Sequence, residues 1–110
     1  MKTLRRRYLA VSIDSHETID SREFMDTTWD AVTKLFGEYG ASQAGLSMID
    51  YDETKKLVVL RTWNKTLEMV RTALASTTRI GGKVVALHVL AVSGTIKALR
   101  EKVEKEQVSS

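Results

Sequence analysis

Residues 44–63 read AGLSMIDYDETKKLVVLRTW, and this stretch decides the fold. Residues 44–51 and 56–63 are rich in β-branched and apolar side chains, a composition typical of strands. The polar tetrapeptide between them, residues 52–55, suits a turn. The stretch therefore predicts two consecutive antiparallel strands joined by a tight connection.

A helical pattern lies on each side of this hairpin. Upstream, Asp20 and Glu23 form a capping pair, and Gly37 and Gly40 are expected to stop the helix. Between them, residues recur at helical spacing: Phe24, Thr28, Val32, Leu35, Phe36 and Tyr39. Downstream, a second helix is marked by Leu67, Val70 and Leu74.

Two further strands and a last helix complete the pattern. Residues 7–13 alternate between apolar and other side chains, and residues 84–92 form a fourth strand after the Gly81-Gly82 turn. Ser93-Gly94-Thr95 then opens a C-terminal helix. The order β-α-β-β-α-β-α predicts an α+β sandwich, ferredoxin-like or RRM-like, with an antiparallel sheet in the order 4-1-3-2 and an extra C-terminal helix.

The fourth strand is apolar on both predicted faces. Strict alternation places Val85, Leu87, Val89 and Ala91 on one face and Val84, Ala86, Leu90 and Val92 on the other. A strand at a sheet edge with two apolar faces needs a cover on the second face. Either the C-terminal helix or a partner protein is expected to supply it.

Length and composition set the class of protein. The 110 residues, 43% of them hydrophobic, predict one folded domain over 1–110, with loose ends at 1–5 and 107–110. The absence of cysteine excludes disulfides and thiolate chemistry. No apolar run reaches the roughly 18 residues of a membrane span, so we expect a soluble, cytoplasmic protein without a membrane partner.

The charges are clustered although the net charge is only +3. Residues 1–13 carry four basic side chains and no acid, whereas residues 14–32 carry six acids against Arg22. Residues 55–83 carry seven basic side chains against Glu68. This distribution predicts one basic and one acidic surface, and a polyanion is a reasonable partner for the basic one.

Candidates for catalysis are few. His16 lies in a polar loop and is expected to be solvated, whereas His88 is expected to be a core or interface histidine. Asp50, Asp52 and Glu53 could hold a cation, but they lack the glycine and distal glutamate of a calcium loop. We therefore predict no metal site and no active site on this chain.

The anion-binding candidates are stronger. Arg5, Arg6 and Arg7 lead into Tyr8, and guanidinium groups bind phosphate bidentately while a tyrosine can stack on a base. Arg61 lies within an apolar strand, where a charge must be paired or exposed. The remaining candidates stand at the start of the last helix, where free N–H groups bind anions: Ser93, Gly94, Thr95, Lys97 and Arg100. In a simpler interpretation Arg100–Glu104 and Glu101–Lys105 form exposed helical pairs.

Four short segments carry a resemblance. The most specific reads VSGTIKALR at residues 92–100, and the others are RYLA at 7–10, LFGEYG at 35–40 and VLRT at 59–62. In this order and spacing the chain, from Arg6 to about Val103, resembles the archaeal and eukaryotic ribonuclease P protein component 2 family, the Pop-five type. The segment typical of RRM proteins, with two aromatics on the third strand, is not present.

The resemblance implies a non-catalytic RNA-binding subunit of ribonuclease P. The RNA subunit is then the catalyst, a magnesium-dependent ribozyme that removes the 5′ leader from precursor tRNA, and this chain binds no cofactor. The implied partners are the ribonuclease P RNA, a TIM-barrel-like protein subunit and a second copy of this chain within a heterotetramer. The chain lacks the long C-terminal tail of many eukaryotic members, so we expect an archaeal-type particle.

Two other hypotheses remain open at this point. The fold and the two-sided fourth strand also suit a ferredoxin-like regulatory domain that dimerises and binds a small metabolite. A stand-alone nuclease would use Asp50, Asp52 and Glu53 with magnesium.

Overall fold

The structure, a computed structural model, describes the chain from residue 5 to residue 108, with side chains for residues 5–105. Its elements in chain order are β1 (Arg6–Asp14), α1 (Ser21–Gln43), β2 (Ser47–Asp52), β3 (Leu57–Trp63), α2 (Leu67–Ser76), β4 (Arg79–Ile80), β5 (Lys83–Val84), β6 (Ala86–Ser93) and α3 (Ile96–Val108). Of the predicted loose ends, residues 1–4 and 109–110 lie outside the described range. The backbone of Arg5 is fixed, because its carbonyl accepts a 2.6 Å hydrogen bond from Asn64 N.

The long strands form one antiparallel sheet in the order β2-β3-β1-β6. Counted as four strands, this is the predicted order 4-1-3-2, so the α+β, RRM-like fold class is confirmed. The predicted fourth strand is divided, however. Its first residue, Val84, belongs to a separate two-stranded hairpin of β4 and β5, and β6 starts at Ala86. Gly81 and Gly82 make the hairpin turn with φ of 57° and 79°.

One face of the sheet packs against α1 and α2. The strand residues Leu9, Val11 and Leu60 are buried against Phe24 of α1 and Leu74 of α2. Phe24 is 0% exposed and lies on the first turn of α1, after the Asp20 cap that accepts from Arg22 N. The predicted amphipathic pattern of both helices is therefore confirmed over this part of the core.

The second half of α1 departs from the prediction. The helix does not end at Gly37, which has a φ of 77° and kinks the chain, but continues to Gln43. Leu35, Phe36 and Tyr39, expected on the buried stripe, are 48%, 38% and 80% exposed. The kink breaks the 3.6-residue period after Gly37, so the helical spacing read from the first part of α1 does not apply to Tyr39.

A bulge changes the faces of β6. Its pairing with β1 runs Ala10 to Ala91 and then Val11 to Val89, so Leu90 is the extra residue. Beyond the bulge the alternation is inverted. Val92 packs with the α1–α2 core and Ala91 packs on the opposite face, the reverse of the strict alternation that the sequence predicted.

Helix α3 covers the centre of the other sheet face. Leu99 and Val103 pack on Ala10 of β1 and Val59 of β3. Leu90 and Ala91 of β6 pack against the same cluster, so the C-terminal helix is the cover for this part of the two-sided β6. Nearer the start of β6, Ala86 and His88 are exposed.

Candidate nucleic-acid interface

Strand pairing places alternating basic and aromatic side chains at one end of the sheet. In the antiparallel register Arg6 faces Trp63 and Tyr8 faces Arg61. Facing residues share a side of the sheet. The next pair on that side is Ala10 and Val59, which lies under α3. The four side chains therefore extend the α3 face to the sheet end where β1 begins.

Trp63 is held between Arg6 and Gly45. The Arg6 guanidinium carbon lies 5.7 Å from the centroid of the indole ring, a cation–π distance. A Cβ atom on Gly45 would lie 2.2 Å from Trp63 Nε1, so the ring lies directly against the Gly45 backbone. Gly45 also has a φ of 58°, which favours glycine. Gly45, two residues before β2, thus sets the position of the indole.

Arg7 points to the start of α3. Its Nε donates a 2.8 Å hydrogen bond to Asn64 Oδ1. A Cβ atom on Gly94 would lie 3.4 Å from Arg7 Nη1, a close contact with the guanidinium. Asn64 therefore orients Arg7, and the absence of a side chain at Gly94 leaves room for it.

These side chains line one open cavity of about 600 Å³, formed by Arg5, Arg6, Arg7, Tyr8, Trp63 and Gly94. Three of the six are arginines and two are aromatic, and no carboxylate is among these described lining residues. Tyr8 is half-buried and also packs against the α3 cluster. Such a cavity suits a phosphate-bearing, partly aromatic ligand.

The predicted turn before α3 is only partly available. Ser93 is 7% exposed and pairs with Tyr8 in the sheet, whereas Gly94 and Thr95 are exposed. Thr95 caps the helix, because its Oγ1 accepts a 3.2 Å hydrogen bond from Ala98 N. Lys97 is exposed but does not line the cavity. Of this predicted group, Gly94 is the residue that joins the arginines.

Two predicted arginines lie apart from the cavity. Arg100 Nη2 is 3.9 Å from Asp50 Oδ2, across the groove between α3 and the β2–β3 hairpin. This ion pair replaces the Arg100–Glu104 pairing expected along the helix. Arg61 lies next to Tyr8 on the sheet face, and its Nη2 donates to Ser47 Oγ at 3.5 Å.

Sequence reasoning missed Trp63 and Asn64 as site residues. Trp63 was visible as the aromatic end of the third strand, and the period of two places it on the same face as Arg61. Asn64 had no such signal, because its contact with Arg7 spans 57 positions in the chain. The pairing of β1 with β3 brings them together.

The acidic and histidine candidates do not converge. Asp50 is paired with Arg100, and Asp52 Oδ1 accepts from Lys55 N at 3.0 Å inside the hairpin turn. Within residues 5–105 no group of three or more histidine, aspartate or glutamate side chains could hold a metal ion. His16 is exposed, as predicted, and His88 is exposed as well, so it is not a core histidine and its predicted place at an interface stays a prediction.

Among the helices of the described range, none combines sufficient length with sufficient hydropathy to cross a bilayer.

Comparison with known proteins identifies the family. Residues 7–104 match the Rpp14/Pop5 family of ribonuclease P proteins, so the chain belongs to that family. Ribonuclease P protein component 2 of Pyrococcus abyssi is 34% identical over 98 residues, which cover 89% of this chain and 83% of that protein. The Thermococcus kodakarensis protein of the same name is 32% identical, with 89% and 82% covered.

A solved structure supports the fold. A chain in the cryo-EM structure of yeast ribonuclease MRP superposes with a TM-score of 0.71 and covers 99% of this chain and 96% of its own length. Its sequence identity is 15%, so the likeness extends to the fold alone. The resemblance read from VSGTIKALR and the shorter segments is thereby confirmed at the level of the family.

Proposed function

We propose that this chain is a non-catalytic, RNA-binding subunit of ribonuclease P. Membership of the Rpp14/Pop5 family supports the assignment to the particle. The observation that carries RNA binding is the cavity lined by three arginines and two aromatic residues at one sheet end. Guanidinium groups there bind phosphate oxygens, and the electrostatic contribution of such contacts dominates affinity for nucleic acids.

The catalytic step is assigned to the RNA subunit, which requires magnesium. Asp50 and Asp52 are engaged within the protein, by Arg100 and by the hairpin turn, and this supports a chain that binds rather than cleaves. The substrate of the complete particle is precursor tRNA, from which the 5′ leader is removed. We place the particle in the cytoplasm, as the sequence predicts.

Protein partners are proposed on separate surfaces. Leu35, Phe36 and Tyr39 are exposed beside the kink of α1, and none of them lines the cavity of the three arginines. Strand β6 is an edge strand, and no other strand of the described part pairs with its outer side. These surfaces are available for the TIM-barrel-like subunit and for a second copy of the chain in a heterotetramer.

The proposal is tested by reconstitution and by charge variants. The ribonuclease P RNA is assembled with this chain and its TIM-barrel-like partner, and precursor-tRNA cleavage is measured at modest magnesium. We expect the pair to raise cleavage and the chain alone to cleave nothing. Arg6→Gln and Arg7→Gln should each lower RNA affinity and reduce the salt slope of log affinity by roughly one unit.

Arg22→Gln is the matched control. Arg22 is exposed on the acidic side of the molecule, so the same loss of charge there should leave RNA affinity within about twofold of the wild type. If Arg6, Arg7 and Arg22 variants behave alike, or if the pair neither binds the RNA nor raises cleavage, the assignment is wrong. Saturable binding of an amino acid instead would favour the metabolite-binding alternative.

A further inference from the structure

The arginine cavity contains a feature that phosphate binding does not use. Trp63 is half-buried yet packs into none of the three apolar clusters of the core. Gly45 lies against its Nε1 edge, and the exposed side chain of Arg6 lies over the ring. An aromatic ring that the core does not use is thus kept in the cavity beside three guanidinium groups.

We propose that this site binds an unpaired nucleotide, with its base stacked on Trp63 and its phosphate bound by Arg6 and Arg7. The inference rests on the proposed RNA binding and adds the substrate class, single-stranded RNA rather than a duplex. Bases inside an A-form duplex are already stacked on both faces, so an aromatic side chain cannot reach them. An unpaired base offers a free π-face.

In the Arg6–Trp63 pair, a base can replace the Arg6 guanidinium over the indole ring. A cation–π pair at an exposed site is a weaker interaction than a base stacked on an aromatic ring. The base therefore takes the place of the Arg6 guanidinium over the indole. Arg6 lies in the same cavity as Arg7 and moves to the phosphate, where it forms charge-assisted hydrogen bonds.

Neighbouring residues set the limits of the site. Tyr8 faces Arg61, two residues before Trp63 on β3, so Tyr8 and Trp63 occupy diagonal positions roughly 7–8 Å apart on the sheet. Beyond Tyr8, α3 covers the face through Leu99 and Val103. The sheet end therefore accommodates one or two bases, whereas an open RRM sheet stacks two or three.

Three RNA probes of matched length test the proposal on the full chain. They are a short oligoadenylate, an abasic oligomer with the same phosphates, and an A-form duplex. We expect the oligoadenylate to bind about 10- to 100-fold more tightly than the abasic oligomer, the range that stacking provides. In a Trp29→Phe background Trp63 is the one remaining tryptophan, and its fluorescence should change with oligoadenylate but not with the abasic oligomer.

Variants separate stacking from charge. Trp63→Leu should reduce the affinity for oligoadenylate to that for the abasic oligomer, and Trp63→Phe should retain most of it because it keeps a π-face. Arg7→Gln should lower the affinity of the protein for all three probes. The comparison of probes on the unaltered protein needs no variant, so a folding defect in Trp63→Leu does not decide the result.

The outcomes distinguish the two proposals. Equal binding of oligoadenylate and abasic oligomer, with both weakened by Arg7→Gln, overturns base stacking and leaves phosphate binding in place. Tighter binding of the duplex than of oligoadenylate also overturns it. If neither these probes nor the ribonuclease P RNA bind, the proposed RNA-binding function fails as well.

Discussion

The two faces of the sheet differ in how completely apolar side chains cover them. The face under α1 and α2 is closed by apolar side chains, with Leu9, Leu60 and Phe24 all 0% exposed. The face under α3 is apolar at its centre, around Ala10 and Leu99, and ends in the cavity lined by arginines and the half-buried Trp63.

The contrast indicates where stability and binding reside. Burial of apolar surface dominates folding, so the α1–α2 face supplies most of the stability. The open end of the α3 face contributes little burial and is free to carry charge. Substitutions on the two faces should therefore separate loss of folding from loss of RNA affinity.

The largest effect is expected for Phe24→Ala. It removes a ring that is 0% exposed at the centre of the α1–α2 face, and the resulting cavity should lower the free energy of unfolding by about 3–5 kcal/mol. Urea denaturation measures it. Phe36→Ala, on the exposed part of α1, is the matched control and should cost less than about 1 kcal/mol. Equal losses would mean that the kinked part of α1 is also core.

Leu99→Ala should have the next largest effect. Leu99 is 0% exposed and holds α3 on Ala10 and Val59, so its truncation should cost about 2–4 kcal/mol. Because α3 packs on one face only, we expect the amides of α3 to exchange hydrogen before those of β1 and β3. Uniform exchange across the sheet and α3 would contradict a separately docked helix.

The sequence predicted the element order and sheet order because hydrophobic periodicity directly reports which side chains face a core. The sequence could not predict which residues of β6 lie on which face of the sheet. Nearly every residue of this strand is apolar, so the extra residue at Leu90 does not interrupt any alternation of apolar and polar side chains. The exposure of Tyr39 has a related reason. The glycine at position 37 predicts the end of the helix, whereas in the structure the helix kinks there and continues to Gln43.

The site was predictable in part. Arg5, Arg6, Arg7 and Tyr8 are consecutive in the sequence, so their proximity could be predicted directly. That Gly94 lies beside them follows from the predicted sheet order, in which the first and fourth strands are neighbours. The indole position depends on the contact with Gly45, and the partner of Arg100 depends on the distance between α3 and β2. Both are tertiary properties that no local pattern contains.

Gly45→Ala tests the contact that fixes Trp63. The new methyl group meets Nε1 at 2.2 Å and the backbone has a φ of 58°, so we expect a loss of about 2–3 kcal/mol. Gly82→Ala is the control, because its φ is 79° and nothing lies within 4 Å, so only backbone strain of about 1 kcal/mol applies. Similar losses at both positions would show that Trp63 moves away freely.

Tyr51 gives a pH-dependent prediction on the α1–α2 face. Its Oη donates to the Ile19 carbonyl, and burial, followed by the nearby Glu53, Asp20 and Glu23 carboxylates, raises the pKa of the phenol above its ordinary value of 10.0. A raised folded-state pKa gives stability that is present below the unfolded pKa and lost as the pH rises through the folded one.

Tyr51→Phe should therefore cost about 1 kcal/mol at neutral pH and remove part of the stability loss above about pH 10. The free energy of unfolding is measured against pH for both proteins. Tyr39→Phe, whose side chain is 80% exposed, is the control and should follow the wild-type curve. A Tyr51→Phe curve parallel to the wild type at all pH values would contradict the assignment.

The smallest effect is expected at the other end of the α3 face, where Arg100 meets Asp50 at 3.9 Å with side chains 57% and 52% exposed. Such an exposed pair contributes roughly 0–1 kcal/mol, so Asp50→Asn should barely change stability. The Asp50→Asn variant also tests the RNA contact that the sequence predicts for Arg100. If Arg100 contacts RNA, Asp50→Asn frees it and should raise RNA affinity, and Arg100→Gln should lower it as Arg6→Gln does. If Arg100 only pairs with Asp50, both variants should leave the affinity and its salt slope unchanged, and the RNA-binding surface is confined to the Trp63 end.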